Sequence, residues 1–321
     1  MEKRVQVYEL SGPPGPNEII ADQLVLALGF FDGVHRGHQR VIAKAKEVAH
    51  KIGAQVGVLT FDRLPRSAFE DLGPIHYLTN RRQKIQRFEN LGLDVVYIAE
   101  FNEAMQTLTP QAFVDQYLVG LKVVAVVAGE DYTYGPKQLA NMTNLPQFAH
   151  GRFAIYQVAH LDENASRKIS STTIRQDLDQ GKVEDANRLL GYIYRTYGPV
   201  VHGFARGRTL GYPTLNVQTS MDQRLPQEGV YAVKVKIDGK LYNGMASVGH
   251  NDTFGDDLAL TVEVNVFDFA QDVYGQEVTI YWYSQTRGMI KFNGIDELQN
   301  QLDTDRQEIK AYFARLDEKM S

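Results

Sequence analysis

Two histidines separated by an arginine and a glycine, His35 and His38, are the side chains of this sequence best placed for chemistry. They follow an apolar run at residues 24–28, and after them apolar residues recur at helical spacing until Gly53. This pattern predicts a strand, a tight turn and a helix, with both imidazoles at the helix entrance. The unpaired N–H groups and the positive end of the helix dipole suit a phosphate there. Two imidazoles beside a bound phosphate could stabilise the charge that grows on it in a transition state.

Gly37, between the two histidines, would let a polyphosphate approach the backbone closely. The alternative is a pair of polar loop histidines that happen to lie near a helix start. Because the motif directly follows an apolar strand, which is the context that such phosphate-binding turns need, we favour the phosphate site.

Composition sets limits on the rest of the function. The 321 residues suggest two domains, and a hydrophobic content of 43% is enough for a real core. A net charge of −5 without a strongly basic stretch disfavours a nucleic-acid partner. The absence of cysteine excludes disulfides, thiolate zinc sites and cysteine nucleophiles. No apolar run reaches membrane-span length, so we expect a soluble, cytoplasmic protein with no membrane partner. We also expect a monomer or a weak oligomer.

Residues 1–190 alternate between strand and helix patterns. This order predicts an α/β domain with a Rossmann-like parallel sheet, whose ligands bind beyond the carboxyl ends of the strands. The histidine pair lies at one such end, and the segment 129–135, which contains Asp131, lies at another. We therefore expect the two segments to share a site.

Three hydroxyl side chains crowd a predicted helix start at Ser170, Ser171 and Thr172, and Arg175 follows one turn later. One hydroxyl would suffice for a helix N-cap. Three hydroxyls and a guanidinium could also bind phosphate oxygens. The pattern leaves both interpretations open.

The periodicity changes to two in residues 191–321. Asp238 and Gly239 are typical of a primed hairpin turn between two alternating strands. Short antiparallel strands at this spacing predict a small β-barrel. An apolar stripe between residues 295 and 316 predicts a C-terminal helix that packs on that barrel.

A loop rich in glycine and arginine separates the first two predicted barrel strands. Its members are Gly203, Arg206, Gly207, Arg208 and Gly211. Free N–H groups and guanidiniums could wrap a polyphosphate, although an ordinary flexible loop can have the same composition. Thr214 and Asn216 follow, and oxygen-bearing side chains two residues apart on a strand point to one side, as a Mg²⁺ site would require.

Glu263 lies in a strand whose valines, Val262, Val264 and Val266, share the opposite face. If the valines line the core, the carboxylate faces away from it and can reach a ligand. It would then accept the proton of an attacking alcohol. The alternative is a solvated strand carboxylate without a catalytic role.

These motifs, in this order, resemble those of bacterial bifunctional riboflavin kinase/FAD synthetase from about residue 15 to about residue 315. The first module is similar to the nucleotidyltransferases that carry GFFDGVHRGH, here at residues 29–38, followed by GEDY and ISSTTIR. The resemblance implies that His35 and His38 are catalytic. The nucleotide-binding residues that it implies in this module are Gly29, Phe31, Asp32, Gly33, Gly37, Asp131, Ser170, Ser171, Thr172 and Arg175.

The second module resembles the riboflavin kinase barrel through RGRTLGYPTLN at residues 206–216 and VEVNVFDF at residues 262–269. The resemblance implies that Thr214 and Asn216 serve Mg-ATP and that Glu263 is the catalytic base. The remaining ATP-binding residues that it implies are Gly203, Arg206, Gly207, Arg208, Thr209, Gly211 and Pro213, and the flavin-binding residues are Arg287 and Phe292.

The same resemblance implies two reactions that use ATP and Mg²⁺. Riboflavin would be phosphorylated to FMN in the second module, residues 191–321. FMN would then be adenylylated to FAD in the first, residues 1–190. Phosphoryl and nucleotidyl transfer need positioning and charge stabilisation more than they need protein nucleophiles, which suits the residues found.

Several positions depart from the family pattern. Residues 62–65 lack a usual histidine, Thr173 stands where arginine is usual, and residues 136–142 lack an Arg-x-Gly segment. In the second module, Gly288 and Met289 replace acidic residues. The alternative is therefore a riboflavin kinase whose first module has decayed into a binding, scaffold or flavin-sensing domain. A tRNA synthetase is disfavoured because no lysine-rich loop follows the histidines.

Overall fold

The computed structural model describes residues 4–163, 167–203, 211–250 and 260–320. The chain divides into two compact units, residues 1–171 and 172–321. The domain boundary after residue 190 stays a prediction, and residues 172–190 lie in the second of these units.

The first unit is built on a six-stranded parallel sheet with the order β1-β4-β3-β2-β5-β6. Its strands are β1 (Gln6–Leu10), β2 (Leu24–Leu28), β3 (Gln55–Phe61), β4 (Val95–Ala99), β5 (Val123–Gly129) and β6 (Ala154–Val158). Its helices are α1 (Arg36–Ile52), α2 (Arg81–Asn90), α3 (Glu103–Gln106), α4 (Pro110–Phe113, continued by a π-helical turn, Val114–Val119) and α5 (Leu145–Ala149). Short 3₁₀ turns span Pro16–Glu18, Asp32–Val34 and Pro65–Ala68. The predicted α/β sheet is confirmed.

Each face of the sheet is covered by different helices. On one face Val41 and Ile42 of α1 and Phe88 of α2 pack against Val25 and Val58 of the sheet. The other face packs against α3, α4 and α5, which contribute Met105, Phe113 and Leu145 to its core. Because both faces are buried, β2 and β4 are fully buried along their length, as their continuous apolar sequences require.

Helix α1 follows β2 and packs on one face of the sheet, whereas α5 follows β5 and packs on the other face. These two strands are neighbours in the sheet. Their carboxyl ends therefore flank the crevice that such a change of direction creates, where parallel α/β sheets bind their ligands. The histidine turn follows β2 and the segment that contains Asp131 follows β5, so the expected common site is geometrically possible.

Three helix ends show the usual capping residues. The side chain of Thr109 accepts a hydrogen bond from the backbone N–H of Ala112, and Pro110 opens the helix. Asn80 caps α2 in a reciprocal arrangement with Gln83. Helix α1 ends at Gly53, whose φ of 68° is left-handed and favours glycine.

In the part of the chain that the structure describes, the second unit contains a closed barrel with the order β10-β11-β8-β7-β12-β9, two helices before it and one helix after it. The helices are α6 (Ser171–Asp179), whose first residue belongs to the first unit, and α7 (Val183–Leu190). The barrel strands are β7 (Tyr194–Val201), β8 (Leu215–Val217), β9 (Gly229–Ile237), β10 (Lys240–His250), β11 (Leu260–Val266) and β12 (Glu277–Arg287). Helix α8 (Ile295–Met320) follows. Asp238 and Gly239 both have positive φ, 46° and 81°, which confirms the primed hairpin turn.

Helices α7 and α8 pack on the barrel. Ile309 and Phe313 of α8 lie in one buried cluster with Val230 and Met245 of the barrel, as the apolar stripe predicted. On α7, the side chain of Asn187 donates to the carbonyl oxygen of Trp282 at 2.8 Å and accepts from the backbone N–H of Tyr194 at 2.6 Å. Across the described ranges, no helix is both long enough and apolar enough to span a membrane.

Candidate active sites

The two histidines of the first unit stack on each other at the start of α1. Their ring centroids are 3.6 Å apart and their planes differ by 20°. His35 is the N-cap of α1, and its Nδ1 accepts a long hydrogen bond, 3.4 Å, from the backbone N–H of His38. This bond places the ring proton of a neutral His35 on Nε2. A Cβ on Gly37 would lie 3.1 Å from the His35 ring, so glycine lets this ring take its position.

Both imidazoles are held neutral. Burial is the main cause that lowers the pKa of His35 to about 4, and Lys168 lowers it further while Asp131 opposes the change. Burial also lowers the pKa of His38 well below its usual value, with smaller contributions from His35 and Lys84. The pair therefore presents neutral N–H donors at neutral pH, which suits a site that stabilises charge growing on a phosphate.

The turn before the histidines is held by hydrogen bonds from the 78–79 segment. The buried carboxylate of Asp32 accepts from the backbone N–H groups of Leu78 and Thr79, and Gly33 donates its N–H to the Thr79 hydroxyl. Phe31 has a φ of 57°, and its ring meets the His38 ring edge to face. A Cβ on Gly29 would lie 3.0 Å from the Phe31 ring. These predicted nucleotide-binding residues thus also shape the turn.

A group of charges lies beside the carboxyl end of β5. The Lys168 ammonium lies 3.2 Å from a carboxylate oxygen of Asp131 and 3.0 Å from Nε2 of His160. The sequence patterns predicted Asp131 but neither Lys168 nor His160, since no short motif contains both. The charges of Asp131 and Lys168 act on the pKa of His35 in opposite directions.

Of the three hydroxyl residues Ser170, Ser171 and Thr172, Ser171 has a structural role. The Ser171 hydroxyl donates to the backbone carbonyl oxygen of Asp32 at 2.8 Å, so it supports the histidine turn. Ser170 directly precedes it, while Thr172 and Arg175 belong to the second unit. Their contact with phosphate stays a prediction.

The second unit places Thr214, Asn216 and Glu263 together on one face of the barrel wall. Glu263 and Asn216 are direct cross-strand partners, and the Thr214 hydroxyl donates to Glu263 Oε2 at 3.3 Å. The three valines of β11 are buried, whereas Glu263 is half-buried. The expected alternation is confirmed, and a carboxylate lies beside two oxygen-bearing side chains.

Close packing supports this group. A Cβ on Gly203 would lie 2.2 Å from Nδ2 of Asn216, so the backbone of Gly203 lies against that amide. The side chain of Asn265, which the sequence patterns did not predict, donates to the carbonyl oxygen of Pro213 at 2.8 Å. Gly211 has a φ of 80°, which favours glycine without reference to a ligand. Predicted residues Arg206, Gly207, Arg208 and Thr209 lie outside the described residues.

The guanidinium of Arg287 pairs with Asp305 of α8. Its Nη2 lies 2.8 Å from Asp305 Oδ2, and Asp305 is fully buried. Phe292 lies beside this pair, with its ring centroid 5.8 Å from the guanidinium carbon. The structure thus brings the two predicted flavin-binding residues together, and it gives Arg287 a role in joining β12 to α8.

These two arrangements, a capped histidine turn on an α/β sheet that suits a phosphate and a carboxylate beside two oxygen-bearing side chains on a β-barrel, are those expected of a nucleotide-dependent transferase. Comparisons with known proteins agree with this class. The family described as FAD synthetase matches residues 18–173, and the family described as riboflavin kinase matches residues 190–313.

Curated relatives match nearly the whole chain. A bifunctional riboflavin kinase/FMN adenylyltransferase of Listeria monocytogenes is 47% identical over 295 residues, which are 92% of this chain and 94% of that protein. The protein of the same name from Bacillus subtilis is 42% identical over 94% of this chain and 97% of its own length. The chain belongs to the bifunctional riboflavin kinase/FMN adenylyltransferase family. This confirms the resemblance inferred from the motifs.

A solved structure shares the fold. The crystal structure titled macrolide-efflux protein from Streptococcus pneumoniae superposes with a TM-score of 0.87 at 34% identity, and the match covers 95% of this chain and 99% of that one. The likeness confirms the fold of the chain.

Proposed function

We propose that the second unit converts riboflavin and ATP to FMN, and that the first unit converts FMN and ATP to FAD. The observation that carries this proposal is that each unit holds a group of side chains suited to one of the two reactions. Glu263 adjoins Thr214 and Asn216 on the barrel, and the stacked histidines lie at the carboxyl end of β2. The chain is thus a bifunctional transferase of flavin cofactor biosynthesis.

In the kinase reaction Glu263 acts as the general base. Its carboxylate accepts the proton of the riboflavin 5′-hydroxyl while that oxygen bonds to the γ-phosphorus of ATP and the bond from this phosphorus to ADP breaks. The Thr214 hydroxyl and the Asn216 amide oxygen suit Mg²⁺, which prefers oxygen ligands alongside those of the nucleotide. When bound, Mg²⁺ offsets the negative charge of the phosphates. Thr214 and Asn216 share one face of the barrel wall with Glu263, which supports a joint role for the three side chains in the kinase reaction.

In the adenylyl transfer the FMN phosphate is already ionised, so the reaction needs no general base. A phosphate oxygen of FMN bonds to the α-phosphorus of ATP, and pyrophosphate leaves. The neutral N–H groups of His35 and His38 and the N-terminus of α1 stabilise the charge that grows on the α-phosphate oxygens.

The geometry argues against a first unit that has decayed into a scaffold. The histidines keep a stacked, capped arrangement, and Asp32 and Ser171 keep the turn in place. At residues 62–65, where a histidine is missing, Asp62 accepts a hydrogen bond from the backbone N–H of Phe101 at 2.8 Å. We also propose a cytoplasmic location, with small flavins and ATP as ligands, no nucleic-acid partner, and a monomer or weak oligomer.

Paired variants test the assignment of the two reactions. With riboflavin and Mg-ATP, and separately with FMN and Mg-ATP, FMN and FAD are quantified by chromatography. Glu263→Gln should lower kcat for FMN formation by about 10²–10⁴ and spare FAD formation from FMN. His38→Ala should lower kcat for FAD formation by about 10²–10³ and spare FMN formation.

Matched controls exist for both variants. His50 is exposed at the other end of α1, and Glu277 is an exposed carboxylate on β12, so His50→Ala and Glu277→Gln should change neither rate. A folded His38→Ala protein that loses both activities would contradict the separation of the sites. Wild-type protein that forms FMN but never FAD would support the decayed-module alternative.

A further inference from the structure

A buried lysine, Lys84 of α2, lies beside the histidine turn and belongs to none of the motifs. Only 8% of the residue is exposed. Its ammonium donates to the carbonyl oxygen of Phe30 at 2.9 Å and lies 4.0 Å from the centroid of the Phe30 ring. A buried ammonium is costly unless it is paired, so this position calls for an explanation.

The carbonyl of Phe30 is held from two sides. The buried hydroxyl of Thr60, on β3, donates to the same oxygen at 2.8 Å. Phe30 lies immediately after β2 and Gly29, at the point where the chain turns toward the histidines. The two donors therefore fix the first peptide of the turn with respect to both β3 and α2.

Charges connect Lys84 to the histidine pair. Burial lowers the pKa of Lys84 to about 8, while the carboxylates of Asp32 and Asp62 oppose that change. The positive charge of Lys84 in turn helps to lower the pKa of His38, after burial and His35. Lys84 thus contributes the charge from α2 that acts on the pKa of His38, and an apolar side chain of the same length could not replace that effect.

We propose that Lys84 is a positioning residue for adenylyl transfer, because its ammonium anchors the Phe30 carbonyl and so fixes the turn that carries the histidine pair. The same charge favours the neutral form of His38, which is the form that the reaction requires. This inference rests on the proposed FAD synthesis by the first unit.

Three variants separate this role from that of an ordinary lysine-to-carbonyl contact. Lys84→Met keeps most of the stem and removes the charge. Lys84→Arg keeps a charge. Lys46→Met is the matched control, because Lys46 is exposed on α1 and donates to the carbonyl oxygen of Leu91 at 2.6 Å. FMN formation by the second unit is an internal reference in every preparation.

Lys84→Met should lower kcat for FAD formation by about 10–100-fold, as a displaced catalytic group would, with the KM for ATP within about threefold of wild type. The acidic limb of the kcat profile should move to higher pH, because His38 then loses the cation that opposes its protonation. The other groups that act on the pKa values of this pair stay in place, namely His35 at the N-cap of α1 for His38, and Asp131 and Lys168 for His35. Lys84→Arg should leave the limb where it is in the wild type, and Lys46→Met should behave as wild type.

Several results would overturn the proposal. An unchanged kcat in Lys84→Met would show that the anchor is dispensable. A raised KM with an unchanged kcat would make Lys84 an ATP-binding residue, and a lower kcat without a shift of the acidic limb would leave it a purely structural contact. If Lys84→Met does not fold, an acidic limb shifted in Lys84→Arg would still refute the role of the charge. A failure of the wild type itself to make FAD would instead contradict the proposed function.

Discussion

Replacing Gly203 by alanine should slow FMN formation, because the added methyl group would displace the side chain of Asn216. The added Cβ would lie 2.2, 2.4 and 2.5 Å from Nδ2, Cγ and Oδ1 of Asn216, whereas ordinary contacts begin at 3.4 Å. Those atoms form the end of a flexible side chain, so the amide will rotate away rather than the backbone. The fold should therefore survive the substitution, and the geometry of the site should not.

The size of the displacement sets the size of the effect. Moving Nδ2 from 2.2 to 3.4 Å shifts the Asn216 amide by about 1.2 Å. Asn216 is the direct cross-strand partner of Glu263, and a misplacement of about 1 Å in a catalytic group can cost about 10²-fold in rate. We expect kcat for FMN formation to fall by about 10²-fold. FAD formation from supplied FMN should be unchanged.

The assay is FMN formation from riboflavin and Mg-ATP, with Gly294→Ala as the control. A Cβ on Gly294 would meet no atom within 4 Å, so that variant should match the wild type. The double variant Gly203→Ala/Asn216→Ala should have nearly the same kcat for FMN formation as Asn216→Ala alone, because both substitutions act through the Asn216 amide. A folded Gly203→Ala protein with kcat within threefold of the wild type, or full additivity in the double variant, would refute the reasoning.

Two further predictions concern protonation and stability. Because the pKa of His35 lies at about 4 and that of His38 is also lowered, kcat for FAD formation should hold down to about pH 6, and a midpoint near 6.5 would contradict neutral buried histidines. The unfolded chain takes up these protons first, so the free energy of unfolding should decrease as the pH falls from 6.5 toward 4. Asn187→Leu should destabilise the second unit by about 3 kcal/mol, since it leaves the Tyr194 N–H and the Trp282 carbonyl without their side-chain partner. Trp282 is the single tryptophan, so its fluorescence during urea unfolding reports the change, and the exposed Asn300→Ala should leave the midpoint unmoved.

Local signals were enough to predict the frame of both sites. The apolar run before His35, the helix end at Gly53 and the turn at Asp238 are each encoded within a few residues, and each is confirmed. Strand alternation likewise predicted the side of β11 on which Glu263 lies. Such features depend on backbone geometry that a short stretch of sequence encodes.

Contacts between distant segments could not be predicted in the same way. Lys84 lies in an ordinary amphipathic helix, and only the packing of α2 brings its ammonium to Phe30. In the sequence Asn265 is an ordinary strand residue, and only the structure shows that its amide donates to the Pro213 carbonyl oxygen. An apolar helical face shows that α7 is buried, but it does not show that the barrel is the surface that buries it.

The first module departs from the family pattern at positions that usually carry positive charge, but other residues supply positive charge near the histidines. Thr173 stands where arginine is usual and residues 136–142 lack the usual Arg-x-Gly segment, and these departures favoured a decayed module. The structure places two other cations by the histidines, Lys84 and Lys168, and both act on the imidazole pKa values. Neither lies in the departing segments. Since a triphosphate responds to the total field at the turn rather than to the residue that supplies it, these lysines support the adenylyl transfer proposed above.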